Sequence, residues 1–229
     1  AVVLGANASF STTNGNISFG STLDGGNRDV VIAGSVGTGT VTFVGNVTNL
    51  GTATGASLSV QAGQTGLVRF QGTVNGVSGF SFADGTSVRF DGDVTLLGGD
   101  TGNSFLGNVV LDGLTFSSSQ AVQFGNNASV DQLTVSAAGV TISTAAGNQP
   151  VTFSCRVDGG QALVVNTGTG TTTFNGAVGG TTALASLTTD AVGTTQINGG
   201  VVTTTGAQTY GDAVVLGANT VLNAGAGNI

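Results

Sequence analysis

The chain has 229 residues and a net charge of −7; charged residues make up 7% of it, and Arg28, Arg69, Arg89 and Arg156 are its whole basic complement. So few scattered cations exclude nucleic acid and anionic membrane surfaces as partners, because both are bound through clustered Lys and Arg. Lys, Glu, Met, His and Trp are absent while Gly, at 41 residues, leads a composition rich in Thr, Ser, Asn and Val, so helices are disfavoured and an all-β fold is expected.

At the N-terminus, Ala1-Val2-Val3-Leu4-Gly5-Ala6-Asn7 is the first half of a repeat that returns letter for letter at Ala213 to Asn219. Gly15-Asn16-Ile17 returns likewise as Gly227-Asn228-Ile229. With neither an initiator Met nor a signal peptide, this is expected of a window from a longer repetitive chain, or of one unit in an end-to-end stack. No apolar run approaches the length of a membrane-spanning helix. From Asn14 onward, Asn-Gly pairs (Asn14, Asn75, Asn175, Asn198) and Asp-Gly pairs (Asp24, Asp84, Asp91, Asp112, Asp158) mark turns. The same pairs also suit a sandwich or barrel of hairpins.

Between the turns a motif Phe-x-Gly-x-Val recurs, starting at Phe43, Phe70, Phe90, Phe105 and Phe174. Looser copies start at Phe19, at Phe153 with Cys155 in the third position, and at Ile197. Alternating residues of a strand share a face, so Phe and Val are expected to point inward from one strand per coil. The third residue sits in a narrow interior or bends the strand at a corner. Longer blocks recur too: residues 19–47 carry Leu23-Asp24-Gly25-Gly26, Val30-Val31 and Gly37-Thr38-Gly39-Thr40, and residues 153–178 carry Val157-Asp158-Gly159-Gly160, Val164-Val165 and Gly168-Thr169-Gly170-Thr171. The match extends to Ala56-Ser57-Leu58 and Ala185-Ser186-Leu187. Copies spaced by about 15 to 27 residues predict a parallel β-helix, a β-solenoid of about ten coils of variable length that runs as one unit over residues 1–229. Its core is expected to be an inward ladder of Phe19, Phe43, Phe70, Phe90, Phe105, Phe153 and Phe174. Hydrophobic residues at 39%, including 12 Phe, supply enough apolar surface to separate this chain from disordered low-complexity sequence.

The Gly/Thr/Asn-rich texture, the run Phe-Asn-Gly-Ala-Val-Gly-Gly-Thr-Thr-Ala-Leu at 174–184 and Thr-Thr-Thr-Gly-Ala-Gln-Thr-Tyr-Gly-Asp-Ala-Val at 203–214 resemble filamentous-haemagglutinin-like and autotransporter-passenger repeats of bacterial surface proteins. The resemblance implies a right-handed helix, secretion to the cell surface, and adhesive or structural work there. There is no Arg-Gly-Asp motif, and the window holds neither a secretion domain nor a membrane barrel.

Chemistry-bearing groups are few. Asp91-Gly92-Asp93 is the best candidate for paired carboxylates of a polysaccharide-acting β-helix enzyme, but without His, Lys or Glu no catalytic residue is assigned and no enzyme is expected. Neither a cofactor nor a dedicated metal site is expected; Gly98-Gly99-Asp100 is a fragment of a calcium repeat that allows incidental calcium. Thr171-Thr172-Thr173 and Thr203-Thr204-Thr205 raise an ice-binding array, which unequal coils argue against. Cys155 is expected to be a buried hydrophobe, and Tyr210 has no visible partner. The leading expectation is a structural shaft of an extracellular fibre, appendage or giant adhesin that associates with itself. The alternative is a module that presents polar rows to carbohydrate or another cell.

Overall fold

The computed structural model describes residues 1–33, 37–51, 56–98 and 102–229. The chain is a parallel β-solenoid of about nine turns. Each turn lays down up to three short strands, one on each of three faces. The first face stacks ten strands from Val2–Val3 to Gln208–Tyr210, and the second stacks ten from Ala8–Ser11 to Ala213–Leu216. The third runs through seven strands from Ile17–Phe19 to Arg156–Asp158, continues through single bridges of Val178 to Val157 and Val202, and ends with Val201–Thr203 beside Val221–Asn223. Every strand pairing among the described residues is parallel, which overturns the hairpin reading. No helix occurs among the described residues, so none there is long and apolar enough to cross a membrane.

The strands are short because the sequence alternates for only three to five residues before a corner. Val41–Phe43, Val122–Phe124 and Val151–Phe153 each bury both ends and turn the middle residue outward. Coil length varies from 19 residues, between the paired Asn103 and Val122, to 29, between Val122 and Val151. The excess is absorbed mainly at corners, and the strands stay in register apart from shifts on the first face between Asp24 and Arg28 and between Asn75 and Val77.

Phe-x-Gly-x-Val does not lie within one strand. Phe43 closes Val41–Phe43 on the third face, Gly45 lies in the corner, and Val47 opens Val47–Leu50 on the first face. A Cβ on Gly45 would meet the backbone of Ser21 and Thr22 at 2.4 Å, and one on Gly72 would meet Gly45 at 2.6 Å. Gly is therefore selected where successive coils touch backbone to backbone. The same motif also turns the corner from the second face to the third, as at Phe105 and Phe174. The 15-residue gap from Phe90 to Phe105 is thus a change of face and not a short coil.

The expected single Phe ladder is two ladders for the same reason. Phe19, Phe43, Phe70 and Phe90 stack on the third face with ring centroids 4.8, 4.7 and 4.9 Å apart. Phe105 and then Phe153 and Phe174 belong to the second face, in a run completed by Phe82 and Phe124. The handover falls where Phe80 contacts Phe70, Phe90 and Phe105. Beyond Phe174 the interior turns partly polar: Thr189, Thr195 and Gln208 are buried, and the hydroxyls of Thr189 and Thr195 both donate to Asp212 Oδ1 at 3.1 and 2.8 Å.

The repeated blocks land on different faces. Val2–Val3 lies on the first face, whereas the identical heptapeptide at 213–219 supplies Ala213–Leu216 of the second. Leu23 opens a first-face strand, and its counterpart Val157 lies on the third face. Inward parity holds for these pairs but reverses further along, where Val30 is buried in one copy and Val165 in the other. A strand and its corner, not a whole coil, is therefore the interchangeable unit.

Candidate functional surfaces

Corner side chains clip coil to coil. Asn16, Asn46, Asn108 and Asn148 each accept, through Oδ1, the backbone N–H of the next coil, from Thr40, Thr73, Gln132 and Thr169 at 2.9 to 3.1 Å. Asp93 does the same for Thr115 at 2.8 Å, and Asp158 for Thr181 and Thr182 at 2.8 and 2.9 Å. Turn-forming Asn and Asp thus satisfy backbone donors where the ladder is interrupted.

The outer side of the third face carries the main ionic network. Arg89 pairs in register with Arg69, and both guanidinium groups close on Asp91, with Nε of Arg69 at 2.6 Å and Nε of Arg89 at 2.5 Å. Arg89 also bridges to Asp112, which accepts from the Ser136 hydroxyl at 2.7 Å. The Asp91 hydrogen bond, helped by the charges of Asp91 and Asp112, raises the Arg89 pKa above its ordinary value despite partial burial. Asp91 and Asp93 are consequently not a facing acid pair. One is clamped by two arginines, and the other caps a neighbouring coil.

Cys155 is buried in the corner column between Gly125 and Gly176, and desolvation pushes its thiol up to about 12. The Tyr210 hydroxyl donates to Gln208 Oε1 at 3.0 Å, a partner not legible from sequence. Of the calcium-repeat fragment, Gly99 and Asp100 lie outside the described residues. Among the described residues no group of three or more His, Cys, Asp or Glu side chains is placed to hold a metal ion.

The second face differs from the other two in having no charged residue in any of its ten strands. Its central outward positions align from coil to coil as Ser59, Ser81, Ser104, Gln123, Thr152, Thr173 and Gln196. Thr173 therefore does belong to a regular polar row, although Thr172 beside it points inward and is buried. Thr203 closes a third-face strand, apart from that row.

Set against protein-family models, curated proteins and solved structures, the chain matches none, so what it shares with other proteins rests on the parallel solenoid architecture itself.

Proposed function

We propose that the chain is a length of structural shaft, part of an extracellular fibre, appendage or surface adhesin. The observation that supports this most is the parallel stacking of ten strands on each of two faces around an aromatic interior. Such a stack is a rod on the order of 45 Å long at the usual interstrand spacing. Because each coil touches only its neighbours, length and stiffness grow by adding coils, without a new core for each. The outermost strands keep the same inward pattern. Val2 is in register with buried Leu23, and Leu216 with buried Ile197, yet the two are 41% and 53% exposed. Further coils, of the same polypeptide or of another copy, would cover them and continue the hydrogen-bond ladder.

The test is immunogold labelling of intact source cells with antibody to this chain, followed by cryo-electron microscopy of shed material. Labelled thin filaments with a layer spacing near 4.8 Å are the expected result. Label confined to the cell interior, or labelled globular particles without a filament, would overturn the reading.

A further inference from the structure

We propose that Asn75-Gly76 is a self-modification site, where the chain converts its own side-chain amide into a carboxylate with water as the only co-reactant. The backbone nitrogen of the glycine attacks Cγ of the asparagine, and its proton leaves with the amide group as ammonia while a cyclic succinimide closes. Water then opens either carbonyl of the ring, giving aspartate or isoaspartate. The sum is amide plus water to carboxylic acid plus ammonia. Glycine permits the attack because no Cβ blocks the approach. Four Asn-Gly pairs occur, at Asn14, Asn75, Asn175 and Asn198. The reaction needs a glycine nitrogen that is not held, a side chain free to turn towards it, and a backbone that can take up the extra atom of isoaspartate. The fold supplies these unequally.

Asn75 meets all three conditions. It is exposed, and its side-chain amide has no partner among the described residues. Gly76 stands outside the ladder: Val74 and Asn75 pair with Val47 and Thr48 on one side and with Val94 and Thr95 on the other, and the register then skips to Val77 and Leu96. A bulge of this kind leaves its extra residue unpaired and already accommodates a lengthened backbone. A Cβ at Gly76 would meet nothing closer than Asn49 Oδ1 at 3.3 Å, so the reacting nitrogen has room around it.

Asn175 and Asn198 are held at the corner from the second face to the third. Nδ2 of Asn198 donates to Oδ1 of Asn175 at 2.9 Å, and Nδ2 of Asn175 donates to the Ser154 hydroxyl oxygen at 3.4 Å, a column that runs across successive coils. The Gly199 N–H is itself spent on the Phe174 carbonyl at 3.1 Å. Backbone packs on both glycines: a Cβ on Gly176 would meet the Cys155 carbonyl oxygen at 2.2 Å, and one on Gly199 the Gly176 carbonyl oxygen at 2.1 Å. Asn14 is intermediate, since the Thr38 hydroxyl donates to its Oδ1 at 3.4 Å and the Thr12 hydroxyl to the Gly15 carbonyl at 2.7 Å. The product matters for the surface. First-face strands carry charge only at Asp24 and Arg28, and from Val47–Leu50 to Gln208–Tyr210 they carry none. Conversion of Asn75 sets a negative charge into that neutral stretch, so this face gains charge with age.

The experiment is incubation of the purified folded chain in heavy-oxygen water at mildly alkaline pH, with peptide mass mapping over time and a parallel sample in denaturant. In the folded chain Asn75 is expected to take up heavy oxygen about tenfold or more faster than Asn175 and Asn198, which react only through local opening. In denaturant the three rates should converge. Equal rates in the folded chain, faster uptake at Asn175 or Asn198, or an unchanged order in denaturant would each overturn the proposal. Gly76→Ala adds an independent arm: uptake at Asn75 should stop, and uptake that continues at the original rate would show that the Gly76 nitrogen is not the nucleophile. The comparison within the unaltered chain decides the matter even where this variant loses its fold.

Discussion

Phe43 and Phe70 are 27 residues apart in sequence, yet their rings stack at 4.7 Å with 4° between their planes. Strand register puts them there, since Val41–Phe43 pairs with Leu67–Phe70 residue for residue. Each ring is held between the coil before and the coil after, so its removal opens a void that neither coil can fill. Phe70→Ala is expected to cost about 3–5 kcal/mol. Phe10→Ala, at a partly buried position near one end, should cost clearly less. Denaturant midpoints check the ranking, and limited proteolysis should place the first cuts of the Phe70 variant in the neighbouring coils, because stability in a solenoid is local.

Corner glycines should divide by contact and not by sequence motif. Gly45→Ala forces a methyl group to within 2.4 Å of the Ser21 and Thr22 backbone, which cannot move without lifting a coil. A loss of more than about 1 kcal/mol is expected. Gly20→Ala meets nothing within 4 Å and should be neutral or slightly stabilising. Equal midpoints for the two variants would show that the coils are not packed as described.

Much of this architecture is legible in the sequence because one physical rule writes it repeatedly. Alternation over three to five residues followed by a small residue dictates a strand and then a corner, and the Phe-x-Gly-x-Val copies mark where that happens. Which corner is meant cannot be read, because the motif serves two of the three. That is why Phe90 and Phe105 look like neighbours in a single ladder although they stand on different faces. Phe80, Phe82, Phe116 and Phe124 escaped the motif because no Gly and Val follow at the required positions. The signal that would have found Phe82 and Phe124 lies upstream, as a buried residue two positions before each ring, in Phe80-Ser81-Phe82 and Val122-Gln123-Phe124. The uncharged face had no local signature at all. It exists only after register aligns residues about 20 to 29 positions apart.

The arginine clamp on Asp91 should be a modest, salt-sensitive staple across coils. Its groups are partly exposed, Arg69 by 38% and Asp91 by 15% at the side chain, so screening limits what the pairs contribute. Asp91→Asn is expected to lower stability by about 1 kcal/mol at low ionic strength, with the difference narrowing at high salt. Denaturation of both proteins at low and high sodium chloride measures this. A difference that does not respond to salt would assign the effect to packing of the corner and not to charge.

Cys155 should be silent to thiol reagents while the chain is folded. It is 1% exposed, and burial raises its pKa from 9.0 to about 12, so the neutral thiol is the native form. An acid whose pKa is raised by folding favours the folded state only while both states are protonated. Above the unfolded value, the unfolded chain ionises first and is stabilised relative to the folded one. Stability should therefore decline as pH rises from about 9 towards about 12, with Tyr210 adding a decline of the same sign from 10.0 to about 12. Cys155→Ala should remove the cysteine share and leave the tyrosine share, which a comparison of denaturation midpoints across this range would resolve. Rapid labelling of Cys155 at neutral pH without denaturant would contradict its place inside the corner column.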